Sequence, residues 1–330
     1  MNEKGLLIIP GAQKSGTTTL WNMLLQHPSV HPLTMPPGEA RKESQFFSLD
    51  EKSCKKYADW YLSMVGDKKG WYVDASTSYL MCLKKKTYLI DSLPLPVKYL
   101  IILRDPAERA LSGYLHMSGK TPPADQRSFE EVVNPIYESE KRIMEEEEKQ
   151  IKESIRGGKI NGSYLKDVHL KGLPASRQES EFSDPLWPYK YLSYSLYSHH
   201  IEELGLNHDN LLIITLDGLT SAPKEVGNRI LDFLEASRKR IPIPHSRRTK
   251  IRPQWWRKAS HMLSKIGWVE GLLESNWISY FKRKIRPNGH SKQDIKTRVK
   301  EMYLRTRRLL KTEYEYWKKK HPKIEEQWNQ

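Results

Sequence analysis

Cysteine is scarce in this chain: 330 residues contain two, Cys54 and Cys82. They lack metal-ligand spacing and cannot build a disulfide framework, so they are expected as reduced, partly buried thiols. Long apolar runs are missing too. None approaches the roughly 20 residues needed to span a bilayer, and no charged-then-apolar leader precedes Leu6. The expectation is a cytoplasmic protein. A Golgi-luminal domain cut from its membrane anchor would read the same way, and Asn161-Gly-Ser163 is a sequon that such a domain could use. Histidine offers little for a metal, because the adjacent His199 and His200 do not share a helix face. No metal site is expected.

What is present supports a core of ordinary size. Hydrophobic residues make up 38% of the chain, although 29% charged residues and a mean hydropathy of −0.71 imply much solvated surface. The length suits one large α/β domain or two small ones, and a single domain over residues 1–330 is expected. Net charge is +15 but uneven. Residues 238–330 carry 26 Lys and Arg against 8 Asp and Glu, while the remainder carries 29 against 32. A basic C-terminal segment on a near-neutral body suggests an anionic ligand or substrate, with a solvated helical face as the plainer reading.

The chain is organised around residues 6–20. A short apolar run, Leu6 to Ile9, reads as a buried strand, and Leu20, Trp21, Leu24 and Leu25 have helical spacing. Between them lies a turn rich in Gly and small residues, Pro10 to Gly16. Strand, Gly-bearing turn and helix converge backbone N–H groups on an anion. Lys14 adds a cation there, and Ser15, Thr17, Thr18 and Thr19 add hydroxyl donors. The nucleotide-triphosphatase loop places Lys after its second Gly. Here Gly11 and Gly16 keep the Gly spacing, Thr17 takes the Lys position and Lys14 comes earlier. The loop is expected to grip a diphosphate-like group.

Further along, Pro28 to Pro37 reads as a proline-broken loop leading to Arg41-Lys-Glu-Ser-Gln-Phe-Phe47. From the residues alone, Glu43 is a surface carboxylate paired with Arg41 or Lys42. Residues 54–65 have helical spacing, and Trp71 to Tyr79 is a strand ending in hydroxylated residues. Val97 to Leu103 is the clearest buried strand. Arg104 follows it and Pro106 suits a first helical turn. Ligands bind at the carboxyl ends of parallel strands, and an Arg fork suits a phosphate monoester. Arg104 and Ser112 can meet on one side of such a group. A salt bridge from Arg104 to Asp105 or Glu108 is the plainer reading, and a Walker-B-like Asp105 holding Mg²⁺ is the rival. Residues 118–186 read as a hydrophilic insertion or lid, with a helix over 129–156 whose Glu145–Glu148 run is a solvated face. Leu211 to Leu216 is a third buried strand, with a helix over about 222–235 and a final helix over about 291–318.

Gln13-Lys-Ser-Gly-Thr-Thr-Thr19 resembles the 5′-phosphosulfate loop of sulfotransferases. Leu103-Arg-Asp-Pro-Ala-Glu-Arg-Ala-Leu-Ser-Gly-Tyr114 is similar to the 3′-phosphate motif of carbohydrate sulfotransferases of the heparan sulfate glucosamine 3-O- and N-sulfotransferase group. The likeness extends over most of the chain, including Lys42-Glu-x-x-Phe-Phe47 and Ser195-Leu-Tyr197. It implies a P-loop-type central parallel sheet flanked by helices, and 3′-phosphoadenosine 5′-phosphosulfate (PAPS) as cofactor. By that resemblance Lys14, Ser15, Gly16, Thr17 and Thr18 contact the 5′-phosphosulfate, Arg104 and Ser112 hold the 3′-phosphate, and Tyr197 lies near the nucleotide. Glu43 matches the catalytic carboxylate, with Lys14 stabilising the leaving group. A C-terminal Lys-Gly-Arg loop of the family corresponds to Lys284-Ile-Arg286, with Lys250-Ile-Arg252 as the competing placement. Gln45 and Ser48 stand where the 3-O-sulfotransferases have His and Asp. Ala75 replaces a Lys and Thr18 an Arg that face the anionic polysaccharide.

The implied activity is sulfuryl transfer to a hydroxyl of a carbohydrate or other alcohol, with an anionic glycan as one possible acceptor. The alternatives are a P-loop nucleotide kinase and a polyanion-binding protein that uses the basic C-terminal third, for which steep salt dependence is the signature.

Overall fold

Alternate residues of the apolar strands point to opposite sides of a sheet, and both sides are buried. The computed structural model describes residues 3–35, 38–83, 86–120, 122–133, 140–164, 181–206, 208–237 and 292–329. The chain divides into two compact units. The first comprises Met1–Arg104, Ser163–Trp187 and Tyr197–Pro244; the second comprises Asp105–Gly162, Pro188–Leu196 and His245–Gln330.

The first unit holds a six-stranded sheet: β1 (Lys4–Ile8), β2 (Val30–Met35), β3 (Glu39–Arg41), β4 (Gly70–Asp74), β5 (Val97–Leu103) and β6 (Leu211–Thr215). Their spatial order is β3-β2-β4-β1-β5-β6. All neighbours are parallel except β2 and β3, which pair antiparallel at the edge. Continuous apolar strands with helical connections are how a parallel sheet buries both faces. On one face Leu7, Val73, Leu100, Ile102 and Ile214 pack with Leu20, Met23 and Leu24 of helix α1 (Thr17–Leu24). Val226 and Ile230 of helix Pro223–Phe233 complete that cluster. On the other, Leu6, Ile8, Tyr72, Ile101 and Leu103 are equally buried. The fold is α/β, with a mostly parallel central sheet flanked by helices.

Two expectations are corrected in this unit. Pro28 to Pro37 is not merely a loop, because it contains β2. Pro32 cannot donate to the ladder, but Val30 and Leu33 are buried and hold the strand against β4. Residues 54–65 do not form one helix. Two short helices, Glu51–Lys56 and Ala58–Leu62, meet at Tyr57, and Asp50 caps the first by accepting from Ser53 N at 3.0 Å.

The second unit is helical. Helix Lys292–Leu309 packs along helix Pro106–Ser118, and Pro106 occupies the first turn as its missing N–H permits. The predicted helix 129–156 is instead Phe129–Val132 and Glu140–Arg156, with 134–139 outside the described residues. The Glu145–Glu148 run is not simply a solvated face. Glu147 is buried and accepts from Leu192 N and Ser193 N, both at 2.8 Å, while Glu148 pairs with Lys152 and Lys190. Hydrophilic composition hid this packing, since the buried groups are polar. Asp125 and Arg127 form a buried ion pair at 2.7 Å, to which Tyr191 Oη donates at 2.8 Å.

Candidate active site

The turn between β1 and α1 is built from backbone ties. Ala12 N donates to Ile102 O at 2.7 Å, and Ile102 N to Gly11 O at 3.0 Å, so the turn continues into β5. Lys14 and Gly16 adopt positive φ, 67° and 91°. The φ of 91° favours glycine at position 16, where an added Cβ would also come within 2.7 Å of the Leu216 Cδ1 methyl. No side chain caps α1, and its first turn holds no acid. The amides that open the helix therefore lack the internal acceptor that helix termini usually recruit. Ser15 Oγ is buried without a hydrogen-bond partner. A buried hydroxyl without a partner is costly, and an anion in the cradle would satisfy it together with those amides. The residues present fit a phosphosulfate group.

Three predicted residues come together around this turn. Arg104, at the carboxyl end of β5, donates from Nη1 to Lys14 O at 3.4 Å. Tyr197 Oη donates to Arg104 O at 3.1 Å. Lys14, Arg104 and Tyr197 thus form one chain of contacts. Thr17 is buried and Thr18 exposed at the start of α1. Ser112 lies on helix Pro106–Ser118 in the second unit. Lys284 and Arg286, like the competing Lys250 and Arg252, lie outside the described residues.

Glu43 reaches the same end of the sheet through Lys42. Lys42 Nζ contacts Glu43 Oε1 at 2.5 Å, Ala75 O at 3.3 Å and Thr17 Oγ1 at 3.4 Å. The other carboxylate oxygen accepts from Gln45 Nε2 at 2.7 Å. Gln45 Oε1 accepts in turn from Ser48 Oγ at 3.2 Å and from Ser78 Oγ, which fixes the amide's orientation. The expected pairing of Glu43 with Lys42 is present, and it sits beside the cradle rather than on a featureless surface.

Sequence reasoning missed the group that seats this loop. Asp74 ends β4, fully buried, and accepts from Ser44 Oγ at 2.6 Å, Ser76 Oγ at 2.6 Å, Tyr79 Oη at 2.8 Å and Tyr61 Oη at 3.0 Å. Gln45 N donates to Ser76 Oγ at 2.9 Å. Burial pushes the Asp74 carboxyl up against the pull of these donors. An acidic residue closing an apolar strand was the only signal available. His199, His200 and Glu203 also converge more than their spacing suggests, with ligand atoms within 4.8 Å of one another. Within that group His199 Nε2 pairs with Glu203 Oε2 at 3.2 Å, one helical turn away.

The rival role for Asp105 does not fit. It is enclosed by Tyr314 Oη at 2.9 Å and Tyr303 Oη at 3.2 Å, and it caps its helix by accepting from Glu108 N at 2.8 Å. Burial, then the neighbouring Glu108 charge, push its carboxyl up to about 7. Both of its carboxylate oxygens are taken up by protein donors, Oδ1 by Glu108 N and Oδ2 by the two tyrosines.

The unit thus gathers at one end of its sheet a glycine-bearing turn that opens α1, the Arg104 guanidinium at the end of β5 and the Glu43 carboxylate joined to the turn by Lys42. Residues 5–286 match the family model described as "Sulfotransferase domain", and the chain belongs to that family. The kinase alternative is not favoured by that match. Among curated proteins it is similar to the bifunctional heparan sulfate N-deacetylase/N-sulfotransferase 4 of Mus musculus, 30% identical over 129 residues, 38% of this chain and 15% of that protein. The corresponding enzyme 1 of Homo sapiens is 33% identical over 132 residues, 38% of this chain and 14% of that protein. The matched stretch thus spans about a seventh of those relatives. A solved sulfotransferase from Alicyclobacillus acidocaldarius aligns with 85% of this chain and 99% of its own, at 19% identity and a TM-score of 0.48. Among the described residues no helix is long and apolar enough to cross a membrane.

Proposed function

We propose that the protein transfers a sulfuryl group from PAPS to a carbohydrate hydroxyl, with Glu43 as general base and Lys14 as the cation beside the leaving group. The family match supports sulfuryl transfer, and the glycan named in the relatives supports a carbohydrate acceptor. The observation that carries the residue roles is Lys42, whose single ammonium joins Glu43 to Thr17 of the cradle.

PAPS supplies the activated sulfuryl group. Ser15, Thr17, Thr18 and the α1 amides would hold its 5′ end, and Arg104, with Ser112 and Tyr197, its 3′-phosphate and nucleotide. Lys14 offers a fixed positive charge where negative charge develops, as preorganised donors do in other group transfers. Glu43 takes the acceptor's hydroxyl proton. Its oxygens each retain a lone pair beyond the contacts with Lys42 and Gln45. Lys284 and Arg286 are proposed as a further contact to the donor, and the basic segment 238–330 as the surface that holds an anionic glycan.

The test is incubation of the full chain with ³⁵S-labelled PAPS and a panel of desulfated glycans. Wild type should label a glycan, and Glu43→Gln should lose about 10²–10⁴-fold in rate, the usual contribution of a positioned base. Labelling by Glu43→Gln at the wild-type rate would remove Glu43 from the mechanism.

A further inference from the structure

Lys42 is more than a neighbour of the base. Its side chain is about four-fifths shielded, with 18% exposed, and Glu43 is 27% exposed. Around Nζ stand three oxygens from three segments: Glu43 Oε1 at 2.5 Å, the Ala75 carbonyl just past β4 at 3.3 Å, and Thr17 Oγ1 at the first turn of α1 at 3.4 Å. An ammonium has three protons and no acceptor, so these contacts use its whole capacity. Of the three partners only Glu43 carries charge. An anion that accepts from Thr17 Oγ1 would lie one hydrogen bond from the same ammonium.

Resting on the reading of the cradle and Glu43 given above, we propose that Lys42 is a shared cation. It pairs with Glu43 as seen here and turns toward the anion when the cradle takes one. Among the described residues, the other two groups that bond Glu43 do not offer this. Gln45, on the opposite oxygen, is neutral and held by Ser48 and Ser78. Arg41 directs its Nε to the Glu43 backbone carbonyl at 2.9 Å rather than to the carboxylate. The consequence is mechanistic: donor binding draws Lys42 off Oε1, so that both lone pairs of this oxygen become available once the leaving group is in place. Lys42 is a positioning residue in this scheme, acting through Glu43 and Thr17.

The scheme makes a signed prediction that needs no acceptor. Adenosine 3′,5′-bisphosphate is titrated calorimetrically into the full chain, the wild type and three variants. Glu43→Gln releases Lys42 to the cradle, so the bisphosphate should bind about three- to fivefold tighter, the range of a partly exposed ion pair. Lys42→Met should bind it several-fold more weakly. In the double variant Lys42→Met/Glu43→Gln, the gain from Glu43→Gln should vanish, leaving affinity equal to that of Lys42→Met. Lys42→Arg, which keeps the charge, should restore the dependence on Glu43, and it also controls for a folding defect in Lys42→Met.

An equal gain from Glu43→Gln with and without Lys42 would overturn the proposal, because the effect would then be the loss of a negative charge alone. Wild-type affinity in Lys42→Met would overturn it too. Failure of the wild type to bind the bisphosphate at all is a separate result, and it would overturn the donor assignment itself.

Discussion

Asp105→Asn isolates one buried carboxyl whose titration the structure specifies. Asp105 follows Arg104, begins helix Pro106–Ser118 and accepts from Tyr303 and Tyr314 of the C-terminal helices. Burial and the Glu108 charge push it up to about 7. An unfolded aspartate titrates near ~3.9. The folded state therefore binds the proton more tightly than the unfolded state. The stability that this group contributes is fully present below the unfolded value and is lost as pH rises toward about 7, above which the slope vanishes. Three units at 1.36 kcal/mol each give a ceiling of about 4 kcal/mol. Asparagine keeps the helix cap and an acceptor for the tyrosines but cannot ionise. Urea unfolding of both proteins between about pH 4 and about pH 8 should show the wild type losing roughly 2–4 kcal/mol relative to the variant as pH rises to 7, then running parallel. A wild-type stability that, measured against the variant, stays constant or rises with pH would refute the reasoning.

The remaining predictions concern the cradle. Ser15→Ala removes a buried hydroxyl without a partner, so thermal stability of the free protein should hold or rise by up to about 1 kcal/mol, while bisphosphate affinity should fall about fivefold as a cradle donor is lost. Gly16→Ala combines positive φ with a Cβ 2.7 Å from Leu216 Cδ1, so it should cost about 1–3 kcal/mol in thermal unfolding and weaken the bisphosphate as well.

Much of this was legible in the chain because the physics is local. β1 and β5 carry apolar runs buried on both faces, edge strand β6 is apolar but half-buried over Leu211–Ile213, and β5 spans Val97–Leu103 as read. The β1–α1 turn announces itself through Gly11, Gly16 and the hydroxyls between and after them. β2 was hidden because Pro28, Pro32 and Pro36 signal breakage, whereas Val30 and Leu33 secure it only through tertiary packing against β4. Asp74 and Glu147 were unreadable for a related reason. A buried carboxylate is justified by donors scattered along the chain, here Ser44, Ser76, Tyr61 and Tyr79 for one and Leu192 and Ser193 for the other. Glu43 was ambiguous because its pairing with Lys42 reads as surface chemistry until Thr17 is seen on the far side of the same ammonium.

The most direct test of the central claim is calorimetric titration of the full chain with adenosine 3′,5′-bisphosphate, 5′-AMP and ATP–Mg²⁺, repeated in Arg104→Ala. The account predicts tight binding of the bisphosphate alone. Arg104→Ala should weaken it about 10–100-fold, the worth of a charged hydrogen-bonded phosphate contact. Preference for ATP–Mg²⁺, or bisphosphate binding indifferent to Arg104, would contradict it.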